Sequence, residues 1–174
     1  YRVINTVLES DLAFARDYST SNIIALKKLL GVIAESAPFT PNISKIAERL
    51  KLGRTSVLTY LKHLADAYVL NLAHQPGKGM SMLQKPDKIY FENTAFTYAF
   101  QERPMTGTLR ETFFFNQLKN AGHSVHLAQK GDFMVDNTYK FEIGGKNKDH
   151  SQIKGQADAY LALDGIEIGF DRKI

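Results

Sequence analysis

The sequence predicts an α+β chain: a helix-turn-helix with a β-hairpin wing, then a small α/β domain with helices against one sheet. Three observations lead there. Apolar residues recur at helical spacing up to residue 68, the period then drops to two, and a block of helices followed by short strands begins near residue 93. With 44% hydrophobic residues and eleven Phe among 174, the chain has enough apolar surface to bury a core, which excludes global disorder.

The elements follow in order. Val3, Ile4, Val7, Leu8 and Leu12 mark a first helix, and a polar stretch at 17–22 ends it. Ile23, Leu26, Leu29, Leu30 and Ile33 form one stripe of a second helix over 22–34. Pro38 and Pro41 punctuate the next loop, and Asn42 is placed to cap a helix over Ile43–Leu50. That helix buries Ile43, Ile46, Ala47 and Leu50 on one face. After the turn Lys51-Leu52-Gly53, a helix over 54–68 carries Val57, Leu61, Leu64, Ala65 and Tyr68 as its core stripe. Val69-Leu70-Asn71-Leu72 and Met80-Ser81-Met82-Leu83 flank a turn at Pro76-Gly77-Lys78-Gly79, the place of a wing.

Residues 85–91 read as a connector entering a strand. The expected division is therefore 1–20 as a leading helix, 21–85 as the winged helix-turn-helix and 86–174 as the α/β domain. In the last part, helices are expected over 93–101 and 107–121, with Gly122 as the stop. Strands are expected near 124–128, 132–136, 139–143, 158–163 and 166–170, the last two joined by a hairpin at Asp164-Gly165.

Composition narrows the function classes. There is no cysteine, so disulfides and thiolate metal sites are excluded, which fits a reducing, cytoplasmic setting. No apolar run approaches the roughly 20 residues that span a bilayer, and no signal peptide is visible. The net charge of +4 is uneven: residues 1–72 carry nine Lys/Arg against six Asp/Glu, and 73–174 thirteen against twelve. The excess points to a polyanionic partner of the first half. The outward face of the second helix of the pair offers Arg54, Thr55, Ser56, Thr59, Tyr60, Lys62 and His63, side chains suited to phosphates and base edges. Five basic residues and one acidic residue lie between Lys45 and Lys62. The competing reading is a solvated face on a packing or protein-contact module.

In the α/β part, a hairpin turning about Asn137 pairs Val135 with Tyr139, Phe133 with Phe141 and Asp132 with Glu142. Two carboxylates then face each other, an arrangement that suits a hydrated face, a shared proton or a Mg²⁺ ion.

The order of segments resembles the region after the ATPase core in prokaryotic AAA+ proteins. The residues that carry the likeness are Asn42-Ile-Ser-Lys-Ile-Ala-Glu-Arg-Leu, Leu83-Gln-Lys-Pro-Asp-Lys-Ile-Tyr-Phe-Glu-Asn and Gly107-Thr-Leu-Arg-Glu-Thr-Phe. In that family a winged helix and a domain resembling the PD-(D/E)xK nuclease fold follow the P-loop domain. No Gly-x-x-x-x-Gly-Lys-Ser/Thr loop occurs here, so the resemblance implies an ATP site in a preceding domain. With Tyr1 in first place, the chain reads as a fragment whose leading helix is the tail of that domain.

The resemblance also implies a metal site. Asp132 and Glu142 match the nuclease carboxylates and Glu111 the helical one, while Gly144 stands where the lysine is expected. Lys146 lies roughly 13 Å along an extended strand from Glu142 and reaches back only through a bulge at Gly144-Gly145. The resulting expectation is a non-catalytic module of a AAA+ ATPase that binds a partner, DNA first, with a vestigial nuclease site. A Mg²⁺-dependent nuclease using Glu111, Asp132, Glu142 and Lys146, and a protein-interaction or oligomerisation module, are the alternatives.

Overall fold

The computed structural model of the chain describes residues 2–77 and 84–174. It is a mixed α+β structure in two compact units, 2–72 with 84–104 and 73–77 with 105–174. Among the described residues, no helix is long and apolar enough to cross a membrane.

The first unit opens with α1 (Arg2–Thr6), a π-helical turn (Val7–Asp11) and α2 (Leu12–Arg16), which run as one helical stretch. Asp17, in the left-handed region at φ 50°, ends it. α3 (Thr20–Ala34) starts at a capping box: the Ser19 hydroxyl accepts from Asn22 N–H, and the Asn22 side chain accepts from Ser19 N–H. α4 (Ile43–Leu50) is capped by Asn42, whose Oδ1 accepts from Lys45 N–H at 3.1 Å. The left-handed turn before α5 (Arg54–Asp66) is taken by Lys51 at φ 54°, and Gly53, at φ −70°, is an ordinary extended N-cap.

β1 (Leu70–Ala73) pairs with β2 (Lys88–Phe91), and Phe39 bridges Ile89 antiparallel. The second wing strand expected at Met80–Leu83 lies outside the described residues. α6 (Thr94–Phe100) packs on α3 and β2.

These elements share one core, from Ile4, Leu8 and Leu12 through Leu26, Leu29, Ile33, Val57, Leu61 and Leu64 to Ile89 and Phe91. Packing thus divides the chain differently from the sequence reading. Residues 2–20, expected as a separate leading helix, are anchored in this core through Ile4, Leu8 and Leu12. Residues 86–104 stay with it because β2 pairs with β1. Two positions on α5 differ as well. Tyr68 is exposed rather than in the core stripe, since α5 stops at Asp66 and Tyr68 sits at φ 55°. Tyr60, expected to face outward, is 7% exposed, and its hydroxyl accepts from Asn22 Nδ2 at 2.9 Å.

The second unit has α7 (Thr106–Asn120) and a four-stranded sheet in the order β3 (Val125–Leu127), β4 (Phe133–Val135), β5 (Tyr139–Gly145), β6 (Ala159–Asp164). The first two pairings are antiparallel and β5–β6 is parallel. α7 contacts β3 and β5, and Phe114 and Phe115 stack on Phe133 with ring centroids 5.7 and 5.4 Å apart. Gly122, at φ 92°, ends the α7 region. Asp136 and Asn137 both take positive φ, which closes the β4–β5 hairpin in the twist sense that strands require. The strand expected over 166–170 is absent. Instead the chain turns, Lys173 bridges Leu161 in parallel, and 172–174 bond along β6.

Candidate functional site

The acidic residues of the second unit are brought together by α7, the start of β4 and the middle of β5. Val135 pairs with Tyr139 and Phe133 with Phe141, in the expected register. The ladder ends there, one residue short of an Asp132–Glu142 pair. Gly131, at φ 87°, bends the chain. Asp132 N–H therefore donates to Phe141 O at 2.8 Å, and its Oδ2 accepts from Ile143 N–H at 2.7 Å. The two carboxylates are neighbours held by different means, not a cross-strand pair.

Glu142 is 1% exposed in the middle of the sheet. Its Oε1 is in ion-pair contact with the Lys148 ammonium, and Oε2 has no hydrogen-bond partner among the described residues. Burial raises the Asp132 pKa to about 6, against the Ile143 N–H bond that lowers it. Glu111 on α7 and Glu142 raise it further, and Lys148 opposes them. Contact with Glu142 raises Lys148 above its ordinary value, so the ammonium stays charged through the neutral range.

The lysine is the main departure from expectation. Lys146 is exposed at the tip of a turn closed by Lys148 N–H to Gly145 O at 2.8 Å, and it lines an open cleft rather than joining the carboxylates. Lys148 takes that role. A Cβ placed on Gly144 would lie 2.5 Å from Lys148 Cβ and 2.6 Å from its Cγ, so the bare strand at Gly144 is what lets the Lys148 stem fold back over β5. In the sequence, Gly144 reads as a lysine lost. In the structure the same glycine makes room for another lysine. The signal was the second lysine of Gly-Gly-Lys-Asn-Lys, two residues beyond the one considered.

Among the described residues, no three or more His, Asp or Glu side chains are gathered as a metal-binding set. Asp132 and Glu142 with Glu111 are the residues that could approach a divalent cation, and Lys148 already supplies one positive charge there.

On the first unit, the α4–α5 residues divide by whether a carboxylate holds them. Lys62 bonds Asp66 at 2.8 Å, Arg16 bonds the same carboxylate at 3.0 Å, and Arg49 holds Glu35 through both nitrogens. Arg54 is exposed and donates to the Ser44 hydroxyl, and Lys45 and Lys51 are exposed without a carboxylate partner among the described residues. Thr55 is exposed, while Ser56, Thr59 and His63 are partly covered. His63 Nδ1 meets the Tyr18 hydroxyl, and burial lowers its pKa. With Tyr60 buried and Lys62 paired, the accessible cationic end is at Lys45, Lys51 and Arg54.

No family model, curated protein or solved structure matches the chain.

Proposed function

We propose that the chain is a non-catalytic module that binds duplex DNA through the α4–α5 end of a winged helix, as part of a AAA+ ATPase. The observation that carries the DNA reading is the set of exposed cations Lys45, Lys51 and Arg54 on α4, its C-cap and the start of α5, none held by a carboxylate among the described residues, where Arg49 and Lys62 of the same helix pair are held by Glu35 and Asp66. The element order supports the winged-helix reading: α3, the Phe39 bridge, α4, α5, then β1 beside β2. The AAA+ assignment rests on the sequence resemblance alone, and with it the ATP site in a preceding domain. Phosphate contacts release counterions, so affinity falls steeply with salt. Fluorescence anisotropy with labelled duplex across a salt series tests this. Lys51→Ala with Arg54→Ala should weaken binding and flatten the salt slope by about 1 per cation removed. Salt-independent binding, or none, overturns it.

A second reading, a Mg²⁺-dependent nuclease, is favoured by the bare Oε2 of buried Glu142 beside an Asp132 of raised pKa. Against it stands Lys148, whose ammonium already neutralises the Glu142 carboxylate through Oε1. The expected result is no cleavage of plasmid or linear DNA with Mg²⁺ or Mn²⁺. Metal-dependent cleavage abolished by Asp132→Ala/Glu142→Ala would replace the non-catalytic reading.

A further inference from the structure

The turn Gly145–Lys148 does more than return Lys148 to Glu142. It borders an open cleft of about 510 Å³ lined by Arg110, Lys146, Asn147, Lys148 and Asp164. Of its three cations, Arg110 is paired with Asp164 and Lys148 with Glu142, and Lys146 has no carboxylate partner among the described residues. Arg110 gives its Nε to Asp164 Oδ2 at 3.0 Å, which fixes the plane of the guanidinium. Its Nη1 and Nη2 lie over Gly145, 3.2 and 3.1 Å from where a Cβ would stand. A side chain at 145 would make the guanidinium give way by a few tenths of an ångström. Lys146 is exposed at the tip of the turn, and Lys148 sits at the boundary with the buried Glu142.

We propose that this cleft is a phosphate-binding site, distinct from the α4–α5 surface and in the other unit. The chemistry favours phosphate over a carboxylate or a neutral ligand. The guanidinium keeps its Nη donors beyond the Asp164 contact, and the exposed Lys146 ammonium beside it can contact further oxygens of a tetrahedral anion. The cleft is open, which admits a phosphate along an extended strand as well as a free one.

The test follows backbone amide resonances of the full chain, and of the full chain carrying Lys51→Ala and Arg54→Ala so that the first unit does not compete. The probes are inorganic tripolyphosphate, a short oligothymidylate, and the same oligomer as the uncharged methylphosphonate. Expected are shifts at Gly145, Lys146, Lys148 and Gly165 with the charged probes and none with the methylphosphonate. Lys146→Ala and Arg110→Gln should each weaken binding roughly tenfold, the effect of losing one charge-assisted contact. Lys146 is exposed at a turn tip, so its variant keeps the test valid if Arg110→Gln fails to fold. Shifts with both charged probes assign the site to nucleic-acid backbone, and shifts with tripolyphosphate alone to a free phosphate compound. Absent shifts, equal shifts with the methylphosphonate, or unaltered binding by Lys146→Ala overturn the proposal. The α4–α5 reading stands or falls separately, on the salt slope of duplex binding.

Discussion

Replacing Lys148 by Met removes one charge while keeping a stem of similar length over Gly144, so it isolates the ion pair with Glu142. The carboxylate left behind is 1% exposed and its Oε2 already lacks a hydrogen bond among the described residues. Breaking a buried pair from one side costs about 3–5 kcal/mol, because the remaining charge is uncompensated. The Lys148 side chain is 31% exposed, so water reaches the vacated position and the lower end, about 3 kcal/mol, applies. Glu142→Leu added to Lys148→Met removes the stranded charge and should recover most of the loss. Urea unfolding with an unchanged m value is the assay. A loss under about 1 kcal/mol for Lys148→Met, or no recovery in the double variant, refutes the account of Glu142 as a charge held by Lys148.

Three further outcomes are expected. Leu61, fully buried in the first unit, should cost about 2–5 kcal/mol when changed to Ala, read by urea unfolding; a loss below about 1 kcal/mol contradicts its place in the core. Asp132 has an ordinary value of 3.8 and a folded value of about 6, so the folded state holds the extra proton between them and stability falls as pH rises through that window. Asp132→Asn should therefore stabilise at pH ~8 by about 1–2 kcal/mol after solvent screening, the gain vanishing near pH ~4; no gain at pH ~8 refutes it. Gly144→Ala puts a methyl 2.5 Å from Lys148 Cβ, so the stem must shift; the expected loss in urea unfolding is about 1–3 kcal/mol and persists in the Lys148→Met background, which keeps the same Cβ and Cγ, and no loss refutes the close approach.

Much of the architecture was legible because apolar spacing is a strong signal. The α3 and α5 stripes, the Asn42 cap and the Phe133–Phe141 register all follow from period and turn chemistry. The Tyr60 hydroxyl suggests an outer face, although its spacing from Val57 and Leu64 belongs to the core stripe; Asn22, 38 positions away, satisfies that hydroxyl. Tyr68 was misplaced because the periodic pattern outlasts the helix by two residues. The partnership of Lys148 with Glu142 depends on a turn folding the chain back over a glycine, and spacing along an extended strand carries no record of that. The last strand failed likewise, since Asp164-Gly165 signals a turn but not the direction in which the chain returns.

That return has a bearing on how the protein behaves in company. Residues 172–174 take up Leu161 N–H with Arg172 O at 2.8 Å, give Ile174 N–H to Leu161 O at 2.9 Å, and receive Leu163 N–H on Ile174 O at 2.8 Å. Without them the outer side of β6 becomes a row of open main-chain donors and acceptors, a template onto which a neighbouring molecule can add its own strand. Loss of three residues would then register first as self-association at high concentration, with the unfolding midpoint at low concentration scarcely moved.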